Sequence, residues 1–364
     1  CNEALPQEQK DLGLTINQSN LCSEIVLPTN EERTAVCCLS SVNLEHFDKW
    51  KKNEQFIDDL ITMLDNVLEH FIEAIVDTSG LGGYNANFKR FKNYVREEKE
   101  GMVKAAYSAY RERSLGLGAM GFHALLQSQG VPFKGLRATS INNVAFSRIK
   151  EKSVEATKRL AEERGEAPDI HASGKRNANL LAVAPNASSS IICGGTSPSI
   201  EPYRANVYTH KTLSGSYQVR NRFLDRLLKK KGLNVEEREK IWKEITGAKG
   251  SVQELNILTE EEKEVFKTAP EINQIYLVEH AFMRQQYVCQ SQSVNLFFTM
   301  PKATESQEIH DEYLQYVHDV HWYAMNKLKS LYYFRSDAAR SAENVNLKIP
   351  RIKLEDIECL SCEG

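Results

Sequence analysis

Ser19-Asn20-Leu21-Cys22-Ser23-Glu24-Ile25-Val26-Leu27-Pro28-Thr29 (SNLCSEIVLPT) sets an amide, a thiol and a carboxylate at alternating positions, just ahead of an apolar run and a turn signal. Read as a strand over Leu21 to Leu27, the segment sends alternate side chains to one side, so Asn20, Cys22 and Glu24 share a face. A carboxylate there can take a proton from a hydroxyl, and an amide can hold a neighbouring hydroxyl. A thiol can exchange a hydrogen atom or act as a nucleophile. Judged by this run alone, a half-buried edge strand with a structural cysteine is the plainer reading.

Beyond the Pro28-Thr29-Asn30 turn, Ala35 to Leu44 (AVCCLSSVNL) reads as a second strand. A cysteine at Cys37 or Cys38 can form a reversible disulfide across a sheet, or simply fill space as a small apolar side chain. Phe56, Ile57, Leu60, Ile61, Leu64, Val67, Leu68, Phe71, Ile72 and Ile75 fall at helical spacing and give one apolar face. Ser114 to Gly130 (SLGLGAMGFHALLQSQG) reads as a glycine-rich turn entering a buried helix, and residues 142–165 read as helical. Leu180 to Ala184 (LLAVA) has the continuous apolar pattern of a fully buried strand. It runs into Pro185-Asn186-Ala187-Ser188-Ser189-Ser190, where the N–H groups of a helix start and serine hydroxyls suit an anion such as phosphate. An ordinary serine N-cap reads equally well.

Residues 220–285 are mostly helical in pattern, with a capping box at Thr259 and Glu262. Ser293 to Thr299 reads as a strand, 306–330 as a helix and Leu331 to Phe334 (LYYF) as a strand. Tyr332 and Tyr333 would face opposite sides of a regular strand, and stacked phenols can pass an electron. From Ser336 the chain is polar and reads as a mobile tail carrying Cys359-Leu360-Ser361-Cys362. A dithiol there can attack a disulfide and be reduced again by a partner. A zinc site would need two further ligands, and none lies nearby, so no metal is expected.

The chain has 364 residues, 41% apolar and 26% charged, with net charge −3. Such a balance excludes a general basic field for nucleic acid. The run Arg226 to Lys231 (RLLKKK) reads as a solvated helix end. No stretch approaches the ~18 apolar residues of a membrane span. Eight cysteines are too sparse for a disulfide scaffold and, in a cytosolic setting, read as free, catalytic or metal-bound. Alternating strands and helices argue for α/β or α+β. Few strands are visible, so a sheet closed by this chain alone is not expected.

A thiol, a tyrosine pair and a tail dithiol, in that order, form the parts of a radical reaction. Together with Ala35 to Leu44, Ser114 to Leu126, Ala184 to Ile191 (APNASSSI) and Ser199 to Pro202 (SIEP), they resemble the catalytic large subunit of aerobic class I ribonucleotide reductase, across nearly the whole chain. The resemblance implies that Cys22 carries a thiyl radical that takes the ribose 3′-hydrogen. Glu24 becomes the base for the 3′-hydroxyl, and Asn20 the amide for substrate hydroxyls. Cys37, which aligns better than Cys38, becomes one of two reducing cysteines. Tyr332 and Tyr333 become the radical relay. Asn186, Ala187, Ser188 and Ser189 fall in the substrate-phosphate loop, with the two serines the stronger assignments. Cys359 and Cys362 become the shuttle dithiol served by thioredoxin or glutaredoxin. No cofactor is implied in this chain; the metal-radical cofactor belongs to a separate small subunit.

The implied fold is α/β: residues 1–205 as the second half of a ten-stranded α/β barrel with Cys22 on a finger loop, residues 206–340 as a mixed α+β C-terminal domain, and residues 341–364 as a flexible redox tail. The implied setting is cytoplasmic, with a ribonucleoside diphosphate as substrate, and without nucleic acid or membrane. The family's other reducing cysteine and its regulatory elements are missing, which reads as a fragment that is inactive without its N-terminal part. The chain opens on Cys1 rather than Met, consistent with an intein junction, a split gene or a truncation. A cobalamin-dependent reductase is the nearest rival, but it has no need of a tyrosine relay. A thiol–disulfide redox protein using the C-terminal Cys-x-x-Cys is the other. Allosteric behaviour, base preference, the small-subunit metal and the host are not legible.

Overall fold

Apolar stripes at helical spacing need a surface to cover, and extended segments with two apolar faces supply it. The computed structural model describes residues 2–212 and 215–337. In chain order β1 (Cys38–Asn43) is followed by α1 (Gln55–Glu73), α2 (Val103–Glu112), β2 (Leu115–Met120), α3 (Phe122–Ser128) and α4 (Leu136–Arg164). Then come α5 (Ala187–Ile192), β3 (Val207–Thr212), β4 (Gly215–Arg220), α6 (Arg222–Lys230), α7 (Val235–Gly247), α8 (Glu260–Val265) and α9 (Gln274–Gln285). They are followed by β5 (Leu296–Thr299), α10 (Gln307–Met325) and β6 (Phe334–Asp337).

The arrangement is α/β. β1 pairs in parallel with β2, Cys38 opposite Leu115 and Asn43 opposite Met120. Leu117 bridges Leu181, and Val183 bridges Gln292, again in parallel. β5 pairs in parallel with β6, Leu296 opposite Phe334. Parallel extended segments therefore follow one another across the molecule: β1, β2, 181–183, 292–299 and 332–337. α1 buries Ile57, Ile61, Leu64, Leu68 and Ile72. Each such side chain contributes roughly 1.5–3 kcal/mol when fully removed from water. The same apolar cluster extends from Val42 to Ala324, while a second gathers Val207, Phe223, Trp242 and Phe266 around α6 and α7. The capping box of Thr259 and Glu262 opens α8 as the sequence predicts. The basic run ends α6, where Lys229 pairs with Asp225 and Lys231 with Glu262.

Several expectations are corrected. Leu115–Met120 is a fully buried strand and not a turn. The glycines are there because a neighbour presses on the strand. A Cβ on Gly118 would lie 2.5 Å from the Ala182 carbonyl oxygen. Backbone cannot step aside as a side-chain tip can, so Gly118→Ala is expected to cost about 1–3 kcal/mol, read as a lower urea midpoint. Leu21 to Leu27 forms no strand; Leu21 to Ser23 make a turn. Leu180 to Ala184 contributes only isolated bridges. Regular strand begins at Phe334 and not at Leu331. The antiparallel β3–β4 hairpin, Val207 to Arg220, comes just before the helical stretch, which begins at Arg222. The tail cysteines Cys359 and Cys362 lie outside the described residues. Among the described residues no helix is long and apolar enough to cross a membrane.

One cluster of buried charge gathers at the end of α2, with Arg111 and Glu112. Asp169 receives Arg33 at 2.5 Å and Arg111 at 2.7 Å. Nearby, Glu112 accepts from Ser108 Oγ at 2.9 Å. Burial pushes its carboxyl up to about 7 against the pull of Arg33. In the unfolded chain that group titrates near its ordinary value, so between the two values the folded state holds the extra proton. Its share of stability is therefore complete at low pH and lost as pH rises through about 7. Glu112→Gln, which cannot ionise, should gain stability relative to the parent between pH 5 and pH 8, measured by urea unfolding at both ends.

Candidate active site

The Cys22 turn is closed by Asn20. Its N–H donates to the Ile25 carbonyl at 3.2 Å, and the Ser23 N–H donates to its carbonyl at 3.1 Å. The Asn20 side-chain oxygen accepts from the Ile25 N–H at 3.0 Å. Ser23 takes a left-handed conformation, φ 65°. The regular alternation expected for this run is thus absent, and the exposed Asn20 does not line the neighbouring cavity. Cys22 and Glu24 still do. They share a cavity of about 540 Å³ with Ser41, Met120, Asn186, Ala187, Ser188, Ser189 and Tyr332. That volume falls in the range of small-molecule sites. The cavity opens where β2 and the 181–183 segment end, at the carboxyl ends of parallel strands, the usual place for ligands in open α/β sheets.

The turn is pinned from behind. The Ser291 N–H donates to the Glu24 carbonyl at 2.9 Å. Ser293 Oγ lies 2.5 Å from the Cys22 carbonyl oxygen and 3.1 Å from Glu24 Oε2. Ser330 Oγ donates to the Ser23 carbonyl at 2.8 Å. The segment from Gln290 to Ser293 is wholly polar and wholly buried.

Cys22 Sγ is in hydrogen-bonding contact with the Tyr332 hydroxyl at 3.5 Å. The rings of Tyr332 and Tyr333 lie 4.0 Å apart, tilted by 35°. This stacking is possible because the pair precedes the regular strand. The Tyr332 N–H donates to the Val294 carbonyl at 2.9 Å, and the Leu296 N–H to the Tyr333 carbonyl at 3.0 Å. Burial, then the Cys22 thiol and Tyr333, push the Tyr332 phenol above its ordinary range. Tyr333 is 41% exposed. A file of groups therefore leads from the protein surface through two phenols to the thiol in the cavity.

At the far wall, α5 starts at Ala187, and its first N–H groups have no partner within the helix. Asn186 precedes it in the left-handed region, φ 52°. Its amide makes no cap; it donates to Ser41 Oγ and to the Ala184 carbonyl, both at 3.0 Å, and fastens the loop to the sheet. Ser188 and Ser189 line the cavity. Arg222 braces the end of this loop through the Gly194 carbonyl and Glu45. Cys37 stands apart from the lining residues. Its sulfur accepts from Gln290 Nε2 at 3.4 Å, and burial pushes its thiol above the ordinary range. Cys38 opens β1, and burial likewise raises its thiol. Among the described residues no three His, Cys, Asp or Glu side chains gather to hold a metal ion.

The sequence reading missed Ser293, Gln290 and Asn295, which hold the reactive groups in place. A polar run, Gln290 to Ser293, leading into an apolar strand was the available signal, since buried polar side chains need partners.

A parallel α/β frame with a cysteine turn at its strand ends defines a recognised class. The family model for the ribonucleotide reductase barrel domain matches residues 1–173 and 167–334, and the chain belongs to that family. It is 46% identical over 366 residues to the ribonucleoside-diphosphate reductase large subunit of Invertebrate iridescent virus 3, covering 100% of this chain and 53% of that protein. It is 41% identical over 365 residues to the putative large subunit of Frog virus 3 (isolate Goorha), covering 100% and 58%. Among solved structures it is similar to the Actinobacillus ureae class Id ribonucleotide reductase alpha subunit, with TM-score 0.75 and 37% identity, over 93% of this chain and 56% of that one. The chain spans about half the length of the curated relatives it matches.

Proposed function

We propose that this chain is the C-terminal part of the catalytic subunit of a class I ribonucleotide reductase, and that it reduces ribonucleoside diphosphates by a thiyl radical on Cys22. The observation that carries the reading is the file Tyr333, Tyr332, Cys22 ending in a cavity shared with Glu24 and the serine loop. A tyrosyl radical at Tyr332 takes the hydrogen atom of the Cys22 thiol: the S–H bond breaks, the O–H bond forms, and the unpaired electron moves to sulfur. The thiyl then takes the 3′-hydrogen of the ribose, while Glu24 accepts the 3′-hydroxyl proton. Ser188, Ser189 and the neighbouring N–H groups bind the diphosphate, with Asn186 and Ala187 shaping the loop. Asn20 serves the turn in the free chain, so its contact with substrate hydroxyls requires the Ile25 bond to be exchanged. Cys37, kept protonated by burial, supplies one of the two reducing thiols, the other lying in the N-terminal part of the subunit.

The parallel segments β1, β2 and 181–183 belong to one half of the ten-stranded barrel in this reading, with the Cys22 turn as its finger loop. Residues 206–340 act as the C-terminal domain. The partners are the N-terminal part of the subunit, a small subunit whose metal cofactor generates the radical, and thioredoxin or glutaredoxin acting on Cys359 and Cys362. The setting is the cytoplasm. The tyrosine contact with Cys22 favours this reading over a cobalamin-dependent reductase. The test is to combine the chain with the N-terminal part and a small subunit and to measure deoxynucleotide formation from ribonucleoside diphosphates. Turnover is expected only when all are present. Turnover by the chain and small subunit alone would refute the dependence on the other half, and turnover with adenosylcobalamin in place of the small subunit would refute the class.

A further inference from the structure

A second cavity, of about 310 Å³, shares Pro185 and Ala187 with the first and is lined by Glu201, Arg204, Asn295 and Arg335. Glu201 is 4% exposed. A carboxylate removed from water is costly unless it is bonded. Here Oε1 accepts from Asn295 Nδ2 at 2.5 Å. The other end of the same amide, Asn295 Oδ1, accepts from the Tyr333 N–H at 3.1 Å. Arg335 completes the cluster, with its guanidinium 4.6 Å from the centre of the Tyr333 ring. Asn295 thus stands between a buried carboxyl and the backbone of the outer relay tyrosine. An asparagine side chain can rotate, and a bond at each end removes that freedom.

We propose that Glu201 is a positioning residue for radical transfer: its carboxyl locks the Asn295 amide, which fixes the Tyr333 backbone and keeps its ring stacked on Tyr332. The inference rests on the relay reading above. What matters in it is the reach of the carboxyl to Asn295. Burial pushes the Glu201 carboxyl up to about 7 against the pull of Arg204 and the Asn295 amide, and both protonation states retain an oxygen that accepts from that amide.

The discriminating variants are Glu201→Gln, which keeps the acceptor and loses the charge, and Glu201→Asp, which keeps the charge and withdraws it by one methylene. Both are close to the parent in volume, so both are suited to comparison in the folded enzyme. In the complete large subunit with its small subunit, Glu201→Asp should lower kcat by about 10²-fold, as expected for misplaced reacting groups, with KM unchanged. Glu201→Gln should retain most of the turnover. A purely electrostatic role reverses that order, and a loss confined to KM also overturns the proposal. A second readout does not depend on turnover: ring carbon shifts of ¹³C-labelled Tyr333 report its stacking on Tyr332. Those shifts should move in Glu201→Asp and stay in Glu201→Gln. If the parent enzyme lacks reductase activity but the shifts follow this pattern, the functional reading fails and the positioning stands. If the parent is active and the shifts are the same in both variants, the positioning fails alone.

Discussion

Cys22→Ser is expected to abolish turnover in the assembled enzyme, by at least ~10⁴-fold, the scale on which removing a group that carries the bond-breaking step is felt. The substitution exchanges sulfur for oxygen and little else. The serine hydroxyl can keep a contact with Tyr332, and the turn is held by Asn20, Ser291 and Ser293 through main-chain groups that the exchange leaves alone. Fold and substrate affinity should therefore survive. The chemistry should not, because an alcohol O–H bond is far stronger than a thiol S–H bond and does not yield its hydrogen atom to a phenoxyl radical. Deoxynucleotide formation and equilibrium substrate binding are the two measurements. Retained turnover removes the radical role from Cys22, and lost binding makes the residue a structural part of the pocket.

Tyr332→Phe should be nearly as severe, with a loss of about 10³-fold or more, which is ~4 kcal/mol or more of barrier. The ring stays, so stacking on Tyr333 and packing along the 332–337 segment stay with it. What goes is the hydroxyl that meets Cys22 Sγ at 3.5 Å, and with it the O–H bond that forms when the thiol gives up its hydrogen. Binding of the small subunit should be unchanged, because Tyr332 faces the cavity and the exposed partner is Tyr333. Affinity for the small subunit, followed alongside radical yield by electron paramagnetic resonance, separates the outcomes. Weakened affinity with normal radical yield would assign the residue to the interface.

Much of the site was legible because its reactive groups lie in short runs. Cys22 and Glu24 are two residues apart, Tyr332 and Tyr333 are adjacent, and Ser188 and Ser189 follow a buried segment. All but Tyr333 line one cavity. The periodic helices were equally plain: the stripe from Phe56 onward became Gln55–Glu73. Failures arose where tertiary contact overrides local pattern. The Cys22 run has the alternation of a strand, but a left-handed Ser23 and the Asn20 bonds fold it into a turn. Leu115–Met120 carries glycines that locally mean a turn, yet here they admit the Ala182 backbone beside a buried strand. Asn186 was placed in the phosphate loop by resemblance, and no local pattern shows that its amide bonds run to Ser41 and Ala184. Glu201 and Asn295 stand 94 positions apart, and no local pattern announces such a pair.

The contact between Cys22 and Tyr332 spans 310 positions of chain. Closing so long an interval is entropically expensive, and contacts so distant in sequence slow folding. A nascent polypeptide leaving the ribosome holds its thiol long before the matching phenol has been synthesised. In the proposed reading oxidising power therefore cannot reach the sulfur until Tyr332 is in place, and local opening on either side of that contact disconnects it again. If Cys22 carries the radical as proposed, maturation of the polypeptide is itself the safety catch on the reaction.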